Sequence, residues 1–136
     1  MMIETKYYIS EILEDTCDII KKVSVHVYPE HRPTATPKQM KDLVVVSIPS
    51  SISDKHVCQK SIIRIELIAR NLSTGVAYTK RLQEMLNTLV ELFPIVRKRF
   101  SITSPYLALK GDDGLGFTVW NVQAKLIVNT TDSYKY

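Results

Sequence analysis

Ser61-Ile62-Ile63-Arg64-Ile65-Glu66-Leu67-Ile68-Ala69-Arg70 alternates on a period of two, and the chain then changes period between Tyr78 and Phe93. In the first run Ile63, Ile65, Leu67 and Ala69 share one face of a strand. Arg64, Glu66 and Arg70 share the other, with Ile62 and Ile68 at its two ends. The break Asn71-Leu72-Ser73-Thr74-Gly75 separates this strand from a helix. There Tyr78, Leu82, Met85, Leu86, Leu89 and Phe93 make one apolar stripe. Pro94 ends it, because the residue before a proline is pushed out of the helical region. A helix this short is marginal in water, so its stripe must pack on the sheet to which the strand belongs.

Working outward, residues 6 to 21 read as a first helix. Ile9, Ile12, Leu13, Thr16 and Ile20 lie on one face, and Glu11, Glu14, Asp15 and Asp18 on the solvent side. Thr5 is its candidate N-cap, although Tyr8 stands where a capping box needs Glu or Gln. Val23 to Tyr28 reads as a short strand. Pro29 to Pro37 reads as an extended loop, because its prolines fix φ and remove donors. Leu43 to Ile48 is a second strand, apolar on both faces, which predicts a position covered on both sides by helices or by another subunit. Residues 49 to 59 read as a long polar connection.

Beyond the second helix, residues 96 to 103 read as a fourth strand, with Val96, Lys98, Phe100 and Ile102 at alternate positions. Lys110 to Gly116 is a turn rich in glycine and aspartate. Phe117 to Val128 is the last strand, with Trp120, Val122, Ala124, Leu126 and Val128 on one face. Residues 129 to 136 lack apolar periodicity and read as a flexible tail. The order is α-β-β-β-α-β-β, an α+β fold in which a mainly antiparallel sheet packs against two helices. Strands one to three are expected to form an antiparallel meander, and strands four and five a hairpin. All 136 residues are expected to form a single domain.

Composition narrows the function. Hydrophobic residues make up 45% and charged residues 24%, the balance of a globular protein. A formal net charge of +4 is mild and lacks the concentration of a dedicated nucleic-acid binder. Cys17 and Cys58 match no zinc or redox spacing and read as reduced thiols. Neither a signal peptide nor a membrane span is visible, so the expected location is the cytoplasm.

No chemical motif emerges. His26, Tyr28, His31 and His56 have no carboxylate at ligand spacing. Ser50, Ser51 and Ser53 near Asp54 and His56 lack the strand-to-helix elbow that a hydrolase nucleophile needs. The glycines of 111 to 116 follow neither phosphate-loop nor dinucleotide spacing. Asp112 and Asp113 are turn residues first, with a divalent cation as the other reading. No catalytic, cofactor-binding or metal-ligating residue is assigned, and the chain is not expected to be an enzyme. Arg97-Lys98-Arg99 is the densest basic run, and on a strand Arg97 and Arg99 would share a face able to grip phosphates or acidic side chains.

One packing feature says more. The strands at 61–70 and 117–128 each have a second face, polar in the middle and apolar at the ends, with Ile62 and Ile68 in one and Phe117, Val119 and Ile127 in the other. If the first helix leaves this face bare, its apolar ends suit a subunit contact.

The chain resembles the tail terminator proteins of long-tailed bacteriophages, the minor tail protein U type among them. The resemblance lies in Tyr106, in Asp112-Asp113-Gly114-Leu115 before a long alternating strand, in the proline-containing loop that enters Pro37 to Ile48, and in the order of elements across residues 6 to 128. Residues 49 to 59 are longer than the family pattern. The resemblance implies no cofactor and a structural role. Such proteins cap the tail tube as a ring, commonly of six copies, and meet the head connector. Partners implied are further copies of the chain, the tail tube protein and a head-completion protein, with no membrane, first in the host cytoplasm and then in the virion tail. Ring contacts are expected at Ile62, Arg64, Glu66, Ile68, Phe117 and Val119, with Ile52 and Asp54 in one loop and Asp112 and Asp113 in the turn. Arg97 and Arg99 are expected to face passing DNA. The alternatives are a head-tail joining or minor capsid protein and a small nucleic-acid-binding α+β domain.

Overall fold

In the computed structural model, which describes residues 9–32, 40–48, 53–54 and 58–129, the alternating run is the centre of one sheet. The elements are α1 (Ile9–Ile20), β1 (Val27–Pro29), β2 (Asp42–Ser47), β3 (Ser53–Asp54), β4 (Cys58–Arg70), α2 (Thr79–Glu91), β5 (Ile95–Val96), β6 (Phe100–Asp112) and β7 (Phe117–Asn129). The expected α+β class is found, with the two-residue strands β3 and β5 added to the expected order. The sheet runs β1-β2-β4-β7-β6-β5, and β3 pairs with the start of β4.

Both helices lie on one face of this sheet. Ile12, Leu13, Cys17 and Ile20 of α1 join Leu82, Met85 and Leu89 of α2 in a single cluster. Beneath them lie Val44 and Val46 of β2, Ile63, Ile65, Leu67 and Ala69 of β4, and Trp120, Val122, Ala124, Leu126 and Val128 of β7. The period-two and helical patterns therefore meet in one core, as their spacing required. Thr16 sits in this core with its hydroxyl donating to the Ile12 carbonyl at 2.7 Å, so burying it leaves no orphan group.

Several boundaries differ from those expected. The first strand begins at Val27 and not at Val23, because Val23 closes the end of α1 through an N–H bond to the Ile20 carbonyl at 2.7 Å. Val23 is buried in the main core while Val25 is 79% exposed. Strand β1 pairs parallel to β2, which overturns the expected antiparallel meander at that step. The segment from Glu30 to Lys41 is long enough to carry the chain back to the same end of the sheet, as a parallel connection needs. The two expected strand sets are joined edge to edge, since β4 pairs antiparallel with β7 along its whole length.

The fourth strand also differs. Arg97 to Arg99 form a tight turn, closed by the Arg97 N–H on the Phe100 carbonyl at 2.8 Å. Val96 and Phe100 consequently lie on different strands, and Ile95 pairs with Ile102. Strand β6 then runs on to Asp112 past Pro105, with register shifts between Thr103 and Tyr106 and between Leu107 and Leu109. Proline and the positive φ of Ser104 (56°) interrupt the alternation that would have marked it. Part of the expected loop at 49–59 is strand, because β3 and the first residues of β4 pair there. The expected tail is corrected at its start, since Asn129 ends β7 paired with Cys58; residues 1–8 with the Thr5 cap, 33–39 of the proline loop, 49–52, 55–57 and 130–136 lie outside the described residues.

Candidate subunit-contact surface

With both helices on one side, the second face of the sheet carries no helix among the described residues. Register sets its rows: Ile62 opposite Lys125, Arg64 opposite Gln123, Glu66 opposite Asn121, Ile68 opposite Val119 and Arg70 opposite Phe117. Toward the Arg70 end the face is closed by the chain itself. Met40, Leu43, Val45, Ile68 and Phe117 are buried there in a second small cluster, with Tyr28 and Val119 packed beside them. This explains the doubly apolar β2: Val44 and Val46 meet the helices, while Leu43 and Val45 meet this cluster. The expectation of Ile68 and Phe117 as contact residues is corrected accordingly, since both are core side chains within one copy.

A cationic clamp holds the cluster. The Arg70 guanidinium lies 4.5 Å from the centre of the Phe117 ring and that of Arg32 lies 5.9 Å from it. Arg70 Nε also donates to the Met40 carbonyl at 3.2 Å. Arg32 pairs with Asp113 at 2.5 Å, and Asp113 Oδ1 accepts the N–H groups of Leu115 at 2.7 Å and Phe117 at 3.1 Å. Burial would push the Asp113 carboxyl up, but the Arg32 bond and the two backbone N–H groups outweigh it and hold the carboxyl below its usual range. Asp113 is thus engaged inside the fold. Asp112 is exposed at the same turn, accepting the Gly114 N–H at 2.6 Å and the Asn71 amide at 3.0 Å. Gly114 (φ 75°) and Gly116 (φ 94°) take the left-handed conformations that this turn demands.

Among the described residues, no element covers the rest of the face. Ile62 is 40%, Tyr106 54% and Leu109 67% exposed. The Tyr106 hydroxyl and Gln123 Oε1 lie 2.8 Å apart in a cross-strand hydrogen bond. Glu66, Leu109, Gly111, Asp112, Val119 and Asn121 line a shallow depression of about 190 Å³. Two polar atoms of this face, Arg64 Nε and Asn121 Oδ1, are buried without a partner. Arg97 and Arg99 do not share a strand face, because they flank Lys98 in the β5–β6 turn. Arg97 Nη1 donates to the Val96 carbonyl at 2.8 Å, and Arg99 lies 3.5 Å from Glu11 of α1. Asp54 belongs to β3, and Ile52 lies outside the described residues.

No protein-family model matches the chain, and no curated protein matches it. Solved structures do. One superposes with a TM-score of 0.62 at 9% identity, over 93% of this chain and 97% of its own. Another is a chain of the virion of a native gene transfer agent particle, with a TM-score of 0.54 at 11% identity, over 89% of this chain and 91% of its own. At these identities the likeness establishes a shared fold across nearly the whole chain.

Sequence reasoning missed two other groups. Arg81 of α2 reaches Asp42 of β2 at 2.9 Å and the Val23 carbonyl at 3.1 Å, while Ser24 donates to the same carboxylate at 2.6 Å. Leu109 is the other, and with it the place of Tyr106 on the helix-free face, because the second half of β6 was not legible. Among the described residues, no group of three His, Cys, Asp or Glu side chains stands close enough to hold a metal ion, and no helix is long and apolar enough to cross a membrane.

Proposed function

We propose that this chain is a virion assembly protein of phage type, and within that class a tail terminator. It caps the head-proximal end of a tail tube as a ring of identical copies and meets the head connector, and it works by contact and not by catalysis. The observation that carries the reading is the fold shared over 89% of the chain with a component of a gene transfer agent virion. The residue pattern around Tyr106 and Asp112-Asp113-Gly114-Leu115 supports the finer assignment. So does the open sheet face, with exposed apolar groups beside buried polar atoms that lack partners. A ring needs a head-to-tail interface whose rotation closes, and a face unlike the opposite edge of the molecule suits that requirement.

Native mass spectrometry over a concentration series tests the reading. A closed ring, with six copies expected, supports it. A stable dimer counts against it, because a two-fold interface is self-complementary and closes at two copies, whereas a cyclic ring needs a head-to-tail one. A head-tail joining role fits the same virion likeness. Binding of the purified ring to tail tubes, and not to head connectors alone, separates the two.

A further inference from the structure

Resting on the ring reading, we infer that the Val96–Arg97 corner of one copy seats in the depression on the sheet face of the next, with the Arg97 guanidinium between Glu66 and Asp112. The depression is lined by two carboxylates, the Asn121 side chain, the apolar groups of Leu109 and Val119, and Gly111, with no cationic side chain among them. Glu66 makes no ion pair among the described residues. Asn121 Oδ1 is buried and accepts nothing. Gly111 adds no wall, since a Cβ there would meet nothing within 4 Å. Such a site is built of acceptors over an apolar floor. It matches a long side chain with an aliphatic stem and a planar fork of donors, which is arginine.

The corner supplies that chemistry. Arg97 is exposed on a tight turn, and its neighbour Val96 is 61% exposed. Val96 would meet Leu109, which lines the depression and is 67% exposed. The two features cannot meet within one copy. Asn121 and Val128 are seven residues apart on β7, and Val128 pairs with Phe100 beside the basic turn. At about 3.3 Å per residue this places the corner roughly 23 Å along the sheet from the depression. A corner and a depression at opposite ends of one strand pair define a head-to-tail contact, the kind from which rings close.

Charge reversal tests it. Glu66→Arg and Arg97→Glu are each expected to keep the far-ultraviolet circular dichroism of the parent while weakening self-assembly at least tenfold in native mass spectrometry. Mixed one to one, the two variants have complementary corners and depressions in alternation, so even-numbered rings are expected to return. The double variant in one chain is expected to assemble alone. If Glu66→Arg loses its fold, the exposed Asp112→Arg takes its place. A parent that never assembles overturns the ring reading and this contact with it. A parent that assembles, with single variants that assemble equally well or a mixture that does not recover, overturns this contact and leaves the ring reading standing.

Discussion

The Arg32 guanidinium stands 2.5 Å from the Asp113 carboxylate and ties together positions 81 residues apart in the chain. The pair is largely shielded, with side chains 26% and 9% exposed, so water competes weakly for it. It pins the β6–β7 turn against the segment after β1 and closes the small cluster around Phe117.

Asp113→Asn should therefore destabilise the protein by about 2 kcal/mol at neutral pH, the scale of losing hydrogen bonds to a charged group. The sign with pH follows from the carboxyl being held below its ordinary 3.8 in the folded state. Its stabilisation is complete above the unfolded value and is lost as pH falls through the lower folded value. Urea melts at pH 7 and near pH 2.5 check this: the gap between parent and variant should shrink in acid. An equal gap at both pH values would show that Asp113 acts through shape and not charge.

The two faces of the sheet make opposite demands on leucine. Leu67 is fully buried beneath the helices, whereas Leu109 is 67% exposed. Leu67→Ala should cost about 2–5 kcal/mol through lost burial and a residual cavity. Leu109→Ala should cost under about 0.5 kcal/mol, while weakening self-assembly if the open face is the contact. Denaturation and native mass spectrometry on the same two variants separate folding from assembly.

Cys17 lies in the main core, and burial, reinforced by Asp18, pushes its thiol up to about 11. At pH 8 roughly one such thiol in a thousand is ionised, against roughly one in four for a free cysteine. In a Cys58→Ser background, Cys17 should react with a thiol reagent on the order of 100-fold slower than a free thiol, and at the free rate in urea. Rapid labelling of the native protein would mean that α1 opens readily.

The main core was legible because each of its elements obeys one clear period. Ile63 to Ala69, Leu82 to Leu89 and Trp120 to Val128 all point where alternation or helical spacing puts them. The pairing of β1 was not legible, since three residues ending in proline carry no signal of direction. Nor was the second half of β6, where Pro105 and two register shifts erase the alternation. The helix-free face was legible in part. Arg64 and Glu66 do lie on the helix-free face, but Ile68 and Phe117 are sealed by Met40 and Arg70, which a strand-by-strand reading could not bring across the sheet. Arg32 gave no warning either, because its partner lies in a turn far along the chain.

Arg81 tests how the helix layer is locked to the sheet. It bridges α2 to Asp42 on β2 and to the Val23 carbonyl after α1, and Ser24 shares the same carboxylate. The Asp42 hydrogen bond is the largest influence on Arg81 and raises its already high pKa, so the guanidinium stays charged at every accessible pH. The side chains are 30% and 18% exposed, intermediate between a surface pair and a buried one. An exposed pair would couple by about 0.2–1 kcal/mol. Here the shared carboxylate and a backbone acceptor fix the geometry, so a double-mutant cycle with Arg81→Ala and Asp42→Ala should give about 1–2 kcal/mol. Adding Ser24→Ala should reduce that coupling, because the hydroxyl holds the carboxylate toward Arg81. A coupling near zero would mean that α2 is held by Leu82, Met85 and Leu89 alone, and that the polar bridge only follows where packing has placed it.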